Sequence, residues 1–362
     1  MGGMRISRTI VVVLLSGALA IALGAFVVFH GSSYDDVLHD TGASADDVIA
    51  VAGSPSGVAR AGDGSVLLTF SIRDQEGGEE EKGAWRLMAP DGDVVRSGAT
   101  RAFSTPHGFD DGFVVAAPDA EVPPTRIDLD GSTTSGGPTQ PPAPVRPGDI
   151  LVTDVGLLTF YRPSDGSVHE LPPPGRHSRS DAFERVAIDE DGTIWGVTDR
   201  AERTARLVHS ADGGRTWETD ALTLPTAGAP GDLVTGHGVT LLSLVAGMSD
   251  GIVGATIVDG GEPRPFAPDG LRLRALDHTK TVVLPDGRLV LGEDDPHGSA
   301  GWFVATTQAN SAFEPLDVPE KTSSITSSGG ALYAVAGPDD AGELWQSLDG
   351  GATWTRVDVG GR

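Results

Sequence analysis

Residues 210–220 read SADGGRTWETD and residues 347–357 read SLDGGATWTRV, so one chain carries Ser-x-Asp-Gly-Gly-x-Thr-Trp twice. Each residue type suits a tight turn: a short carboxylate can accept the N–H groups of its own turn, glycine supplies positive φ, and the Thr hydroxyl adds a further bond. The motif reads as a strand-to-strand corner, with a structural rather than a chemical role.

Working outward, Asp-Gly occurs twelve times, and this pair tolerates the positive φ of two-residue hairpins best. One series takes the third position of the motif: Asp91, Asp130, Asp165, Asp212, Asp259, Gln308 and Asp349, stepping by 39, 35, 47, 47, 49 and 41 residues. A second series falls between its members, at Asp63, Asp111, Val155, Asp191, His237, Asp286 and Gly329. Asp250 and Asp269 fit neither. Two hairpins per period give four strands in about 35–49 residues, the signature of a β-propeller blade. The fourth period shows the layout best: FERVAI, the DEDG turn, TIWGVTD, ARLVHS, the box turn and TWETD. The expectation is an all-β propeller of seven four-stranded blades, with six as the alternative count. It is weakest in the second and third periods, where GSTTSGGPTQPPAPVRPGD (residues 131–149) has linker composition.

Fifty Gly, twenty-five Pro and 6% aromatics fit many short strands joined by turns. A formal charge of −25 repels phosphate backbones and anionic headgroups, which argues against nucleic acid as a partner. Glu76–Lys82, EGGEEEK, reads as a solvated loop. With no cysteine, disulfides, thiolate metal sites and thiol nucleophiles are excluded.

At the N-terminus, Arg5 and Arg8 precede an uncharged run from Thr9 to Phe29 that is long enough to span a hydrocarbon core, and Asp35, Asp36 and Asp40 follow. Residues 1–30 are therefore read as a membrane anchor or uncleaved signal, N-terminus inside. Residues 31–56 are read as an unstructured acidic tether and 57–362 as a propeller outside the membrane. Cleavage after Ala18-Leu19-Ala20 would make it secreted.

Ser210, Asp212, Gly214, Thr216 and Trp217, with Ser347, Asp349, Gly351, Thr353 and Trp354, resemble the Asp-box of BNR or sialidase-like propellers. The resemblance implies that the box joins the third and fourth strands of a blade, at the edge opposite the active-site face. It also implies a test for activity, because the family's enzymes use three arginines, a tyrosine nucleophile paired with a glutamate, and an aspartate acid/base. Here the nearest string to the family's Arg-Ile-Pro signature is Thr125-Arg126-Ile127-Asp128. The only tyrosines are Tyr34, Tyr161 and Tyr333, none on an expected inner strand. Arg60, Arg185 and Arg274 are the candidate axial arginines.

Other patterns read as structure. Gly247-Met248-Ser249-Asp250-Gly251 has the nucleophile-elbow spacing but precedes a strand. Asp189-Glu190-Asp191-Gly192 and Asp128-Leu129-Asp130-Gly131 lack the later Glu of a calcium loop. The nine histidines contain no zinc-type pair. Trp195, Trp302 and Trp345 fall on strands, where an exposed one could stack on sugar. The reading is a binding or assembly module for a protein or glycan ligand on the axial face. It is a monomer with no catalytic residues, cofactor or metal; a sialidase-like exo-glycosidase is the alternative.

Overall fold

In a computed structural model, the described residues are 34–359, apart from 75–79, 118–121, 154–156, 175–182, 202–203, 224–227, 247–250, 261, 268–271, 294–300, 309–312 and 338–341. The apolar run Thr9–Phe29 and the Gly247–Asp250 part of the elbow-like pattern lie outside them. Among the described residues no helix is long and apolar enough to cross a membrane.

Seven antiparallel sheets follow one another along the chain. Blade 1 comprises β1 (Gly57–Arg60), β2 (Val66–Arg73), β3 (Glu81–Met88) and β4 (Val94–Thr100). Blade 2 comprises β5 (Thr105–Phe109), β6 (Gly112–Ala116), β7 (Thr125–Asp128) and β8 (Thr133–Ser135). Blade 3 has three strands, β9 (Ile150–Thr153), β10 (Thr159–Arg162) and β11 (Ser167–Glu170). Blade 4 holds β12 (Phe183–Ile188), β13 (Ile194–Ala201), β14 (Thr204–Ser210) and β15 (Glu218–Thr223). Blade 5 holds β16 (Gly228–Gly236), β17 (Val239–Ala246), β18 (Ile252–Asp259) and β19 (Arg264–Pro265). Blade 6 is β20 (Leu276–Val283), β21 (Leu289–Glu293), β22 (Trp302–Ala305) and β23 (Phe313–Pro315). Blade 7 is β24 (Thr322–Ser328), β25 (Ala331–Ala336), β26 (Glu343–Ser347) and β27 (Thr355–Val357). The cores lie between successive blades, as where Val197 and Leu207 of blade 4 meet Leu242 and Leu244 of blade 5.

The turn chemistry is uniform. Asp63, Asp91, Asp130, Asp165, Asp191 and Asp286 each accept the N–H two residues on, at 2.8–3.2 Å. The glycine after each sits at φ between +72° and +96°, where a Cβ would be strained. In blade 5 the turn is His237 (φ +52°) and Gly238 (φ +77°). In six blades both turns fall on one face of the ring, since strands one and three run towards it.

Blade 3 departs from this plan. Val155 lies outside the described residues, and the turn on the shared face is instead Pro147-Gly148-Asp149. There the Asp149 N–H donates to Arg146 O (3.0 Å), Gly148 sits at φ +80°, and the Gly148 N–H reaches Glu190 O of blade 4 (3.2 Å). The axial strand β9 thus starts at the turn face and runs against the inner strands of the other six blades. The segment 131–149 is also more than linker: Gln140 bridges His169 in parallel, supplying the outer edge of the sheet, and the Val145 N–H donates to Gly213 O (3.0 Å).

Blades 1 and 7 are each built from contiguous strands, so among the described residues no exchanged strand closes the ring. Closure relies on Arg60, whose N–H meets Ser328 Oγ and whose Nη1 meets Gly329 O, both at 2.9 Å. It relies equally on residues 31–56, which were expected to be unstructured and instead supply two helices. Helix α1 (Tyr34–His39) and helix α2 (Ala45–Ala52) bury Val37, Leu38, Val48 and Ile49 against Phe70, Ile72 and Met88 of blade 1 and Tyr333 and Leu344 of blade 7. Burying each such side chain contributes about 1.5–3 kcal/mol, enough to order helices too short to persist alone. Ser44 and Asp47 form a capping box on α2. Arg86, almost fully buried, bonds Asp46 Oδ1 and Val359 O, both at 2.8 Å, and Lys82 Nζ reaches the carbonyls of Val37 and Asp40 at the end of α1.

Candidate functional site

The two box turns share one construction. Ser210 Oγ accepts the Gly214 N–H (2.7 Å) and donates to Asp212 Oδ1 (2.9 Å); Ser347 Oγ does the same with Gly351 (2.8 Å) and Asp349 (2.7 Å). Asp212 also accepts the Thr216 N–H (2.8 Å) and hydroxyl (2.7 Å), and Asp349 those of Thr353 (2.9 and 2.6 Å). Bonds from the backbone and side chain of the threonine hold each carboxyl down to a pKa of about 2. Such fully engaged carboxylates are fasteners, with little left to offer a ligand. Both turns join β-strands on the outer side of a blade, away from the axis.

The space on the axis is different. A cavity of about 1330 Å³ lies among the inner strands and opens at the turn face. Six carboxylates, Asp110, Asp111, Asp149, Asp189, Glu190 and Asp232, line it against two guanidiniums, Arg126 and Arg146. Sequence position explains why they converge: Asp110, Asp111, Asp189 and Glu190 occupy first-to-second-strand turns, which point at the axis in a propeller. Asp189 is buried and tied down, its carboxylate accepting Glu190 N–H (2.7 Å), Gly238 N–H (3.3 Å) and the Thr235 hydroxyl (3.3 Å). Asp149 is equally fixed, by a two-pronged bond to Arg162 at 2.7 and 3.1 Å. Arg126 bonds Asp128 (2.6 Å) and Asp111 (3.2 Å). The exposed carboxylates at the mouth are Asp110, Asp111 and Glu190, the last 3.0 Å from His237 Nδ1. His107, on β5 inside the cavity, is pushed down to about 4 by burial, so it is neutral at ordinary pH and offers a donor or an acceptor.

The residues that a sialidase-like mechanism would need are not brought together. Tyr34 Oη bonds the Arg73 backbone on both sides at 2.7 Å, at the end of β2 in blade 1. Tyr161 and Tyr333 are each 1% exposed, in blade seams. Burial raises the pKa of both, that of Tyr333 to about 12 with Gln346 donating to its oxygen, the wrong direction for a nucleophile. Arg60 is spent on blade 7, Arg185 bonds Gly231 O (2.6 Å) and Glu184 O (2.8 Å), and Arg274 lies in a 3-10 turn before blade 6; none of the three lines the axial cavity. Of the strand tryptophans, Trp195 stacks on His209 (4.6 Å), Trp302 is buried with its N–H on Thr322 O (3.2 Å), and Trp345 lines an outer cleft. Among the described residues no group of three His, Asp or Glu side chains is placed to hold a metal ion.

Comparisons with known proteins bear on the fold. No protein-family model and no curated protein matches the sequence. Among solved structures, the chain is similar to the β-propeller domain of the Trilobed protease from Pyrococcus furiosus, described as having an open velcro topology (TM-score 0.52, 11% identity, 84% of this chain and 95% of that one). It is similar also to the Pyrococcus horikoshii acylaminoacyl peptidase (TM-score 0.51, 11% identity, 84% of this chain), of which it spans 52%. At this identity the likeness establishes a propeller and carries no activity with it.

Proposed function

We propose that the protein is a non-catalytic binding module whose axial cavity takes a basic segment of a partner protein, and that the N-terminal apolar run holds it at the outer side of a membrane. The observation that supports this reading most is the charge of the cavity: six lining carboxylates against the guanidiniums of Arg126 and Arg146 and of Arg162 behind Asp149, on a chain of net charge −25. Such a field speeds the approach of a cationic partner and repels an anionic one. The same sign disfavours a sialoside, whose carboxylate needs a converged set of arginines. The box turns sit at the rim of the same face at which the cavity opens, not opposite it as the BNR-type resemblance implies, and as rim fasteners they leave the axis free.

The test is a titration of the full chain with a lysine-rich peptide and with an acidic peptide of equal length, at low and high salt. Saturable binding of the basic peptide alone, weakened by salt and lost in an Asp110→Lys, Glu190→Lys double variant, is expected. Binding of the acidic peptide, or turnover of a fluorogenic sialoside, overturns the proposal.

A further inference from the structure

We propose that the cleft at the seam of blades 6 and 7 is a second binding site, one that takes a quaternary ammonium group between Trp345 and Trp354. The cleft measures about 470 Å³ and is walled by these two indoles together with Asp317, Glu320 and Glu343, and no Lys or Arg is among its lining residues. Both tryptophans are only half-buried.

Two features distinguish it from ordinary seam packing. First, the indole N–H of Trp354 is already spent on the carbonyl of Asp317 (2.8 Å), which fixes the ring across the seam and leaves its π-system as what it offers. Its counterpart Trp217, in the other box turn, lies against Phe183 with ring centroids 5.6 Å apart; among the described residues no aromatic ring covers Trp354 in that way. Second, the charged residues that line the cleft are all acidic. Arg356, opposite Trp345 in the β26–β27 register, pairs with Glu343 (3.1 Å), which leaves Asp317 and Glu320 as the exposed carboxylates. Lys321 follows Glu320 in the chain but is not a lining residue.

Tryptophan faces attract cations through their quadrupole, more than phenylalanine or tyrosine faces do. Neighbouring carboxylates add long-range attraction without needing contact. A quaternary ammonium suits the pair best because it is weakly hydrated and has no N–H to satisfy, so it loses little on leaving water for an aromatic wall. The same group comes from a free solute or from a choline lipid headgroup.

The probe is choline, titrated into the full chain in a non-ionic polyoxyethylene detergent and followed by tryptophan fluorescence. Saturation in the millimolar range is expected, as befits a small open site, with no response to the neutral isostere in which carbon replaces nitrogen. Trp345→Leu should weaken binding about tenfold. Because a tryptophan change can also disturb the seam, Glu320→Gln serves as the second variant: it leaves both rings in place and should weaken choline several-fold. Glycerophosphocholine separates the sources, binding as choline does if a headgroup is the ligand and poorly, through its phosphate, if a free cation is. Equal binding of the neutral isostere, saturation by methyl glucoside instead of choline, or choline binding that both variants leave unchanged overturns the proposal.

Discussion

The two box turns differ in two residues between serine and tryptophan, yet blades 4 and 7 use them differently. Around the aspartate the hydrogen bonds match within about 0.2 Å. Beyond it they diverge. Trp217 turns its N–H back on its own turn, to Gly214 O (3.1 Å), and packs on Phe183, whereas Trp354 reaches to Asp317 in the link between blades 6 and 7. The surroundings of the last glycine differ as well: a Cβ on Gly214 would lie 2.6 Å from Pro172 Cβ and 2.8 Å from its Cγ, and one on Gly351 would lie 2.7 Å from Leu316 Cδ1. One local motif can therefore be a closed fastener in one seam and a fastener bordering a cleft in another, because the neighbouring blade decides what the tryptophan covers.

The largest expected effect sharpens that difference. Gly214 and Gly351 sit at φ +90° and +94°, so alanine is strained at both, by about 1–2 kcal/mol. At Gly214 the clash is with a proline ring that cannot rotate away, adding about 1–3 kcal/mol of overpacking. At Gly351 it is with a terminal methyl of leucine, which can turn aside. Gly214→Ala should thus lose roughly twice the stability of Gly351→Ala in urea denaturation. Equal losses would mean that backbone strain alone governs both corners.

A smaller effect tests what the turns share. Ser210 and Ser347 are 2% and 1% exposed, and each accepts a glycine N–H that has no other acceptor in the turn. Ser210→Ala and Ser347→Ala should each cost about 1–3 kcal/mol, and by similar amounts. A silent Ser347→Ala beside a costly Ser210→Ala would show that blade 7 is held by its tryptophan rather than by its hydroxyl.

The ring was legible in the sequence because its corners need chemistry that few residues supply. Asp63, Asp91, Asp130, Asp165, Asp191 and Asp286 are all visible as Asp-Gly, and each proved to bond its own turn. Blade 3 was harder to read because Pro147-Gly148-Asp149 sits inside a proline-rich stretch, and a strand's direction leaves no mark on its alternation. The helices at Tyr34–His39 and Ala45–Ala52 were masked by acidic composition: their stability comes from Phe70, Tyr333 and Leu344, residues far away in sequence. Ser44-x-x-Asp47 was the available local signal. The axial carboxylates were visible as turn residues, but only ring closure brings Asp110 and Glu190 to one opening. The Trp345–Trp354 cleft needs two blades to exist at all.

The smallest effect is a pH dependence that both box turns should share. Asp212 and Asp349 have pKa values of about 2 in the folded protein, against about 3.8 for an unconstrained Asp. A depressed folded value means that the unfolded chain binds the proton more readily. The contribution of each carboxylate is therefore complete above pH ~4 and disappears as pH falls through about 2. Asp349 is exposed and Asp212 partly so, and screening by solvent keeps the effect modest. Asp212→Asn should lower the urea midpoint at pH 7 and flatten its decline between pH 4 and 2, because the variant has no proton left to take up. Asp349→Asn should do the same to the same degree. The other depressed carboxyls, such as Asp130 and Asp165, titrate alike in every variant and cancel in the difference. Unequal slopes would place the asymmetry of the two turns in the carboxylate itself, and would leave the tryptophan as its consequence rather than its cause.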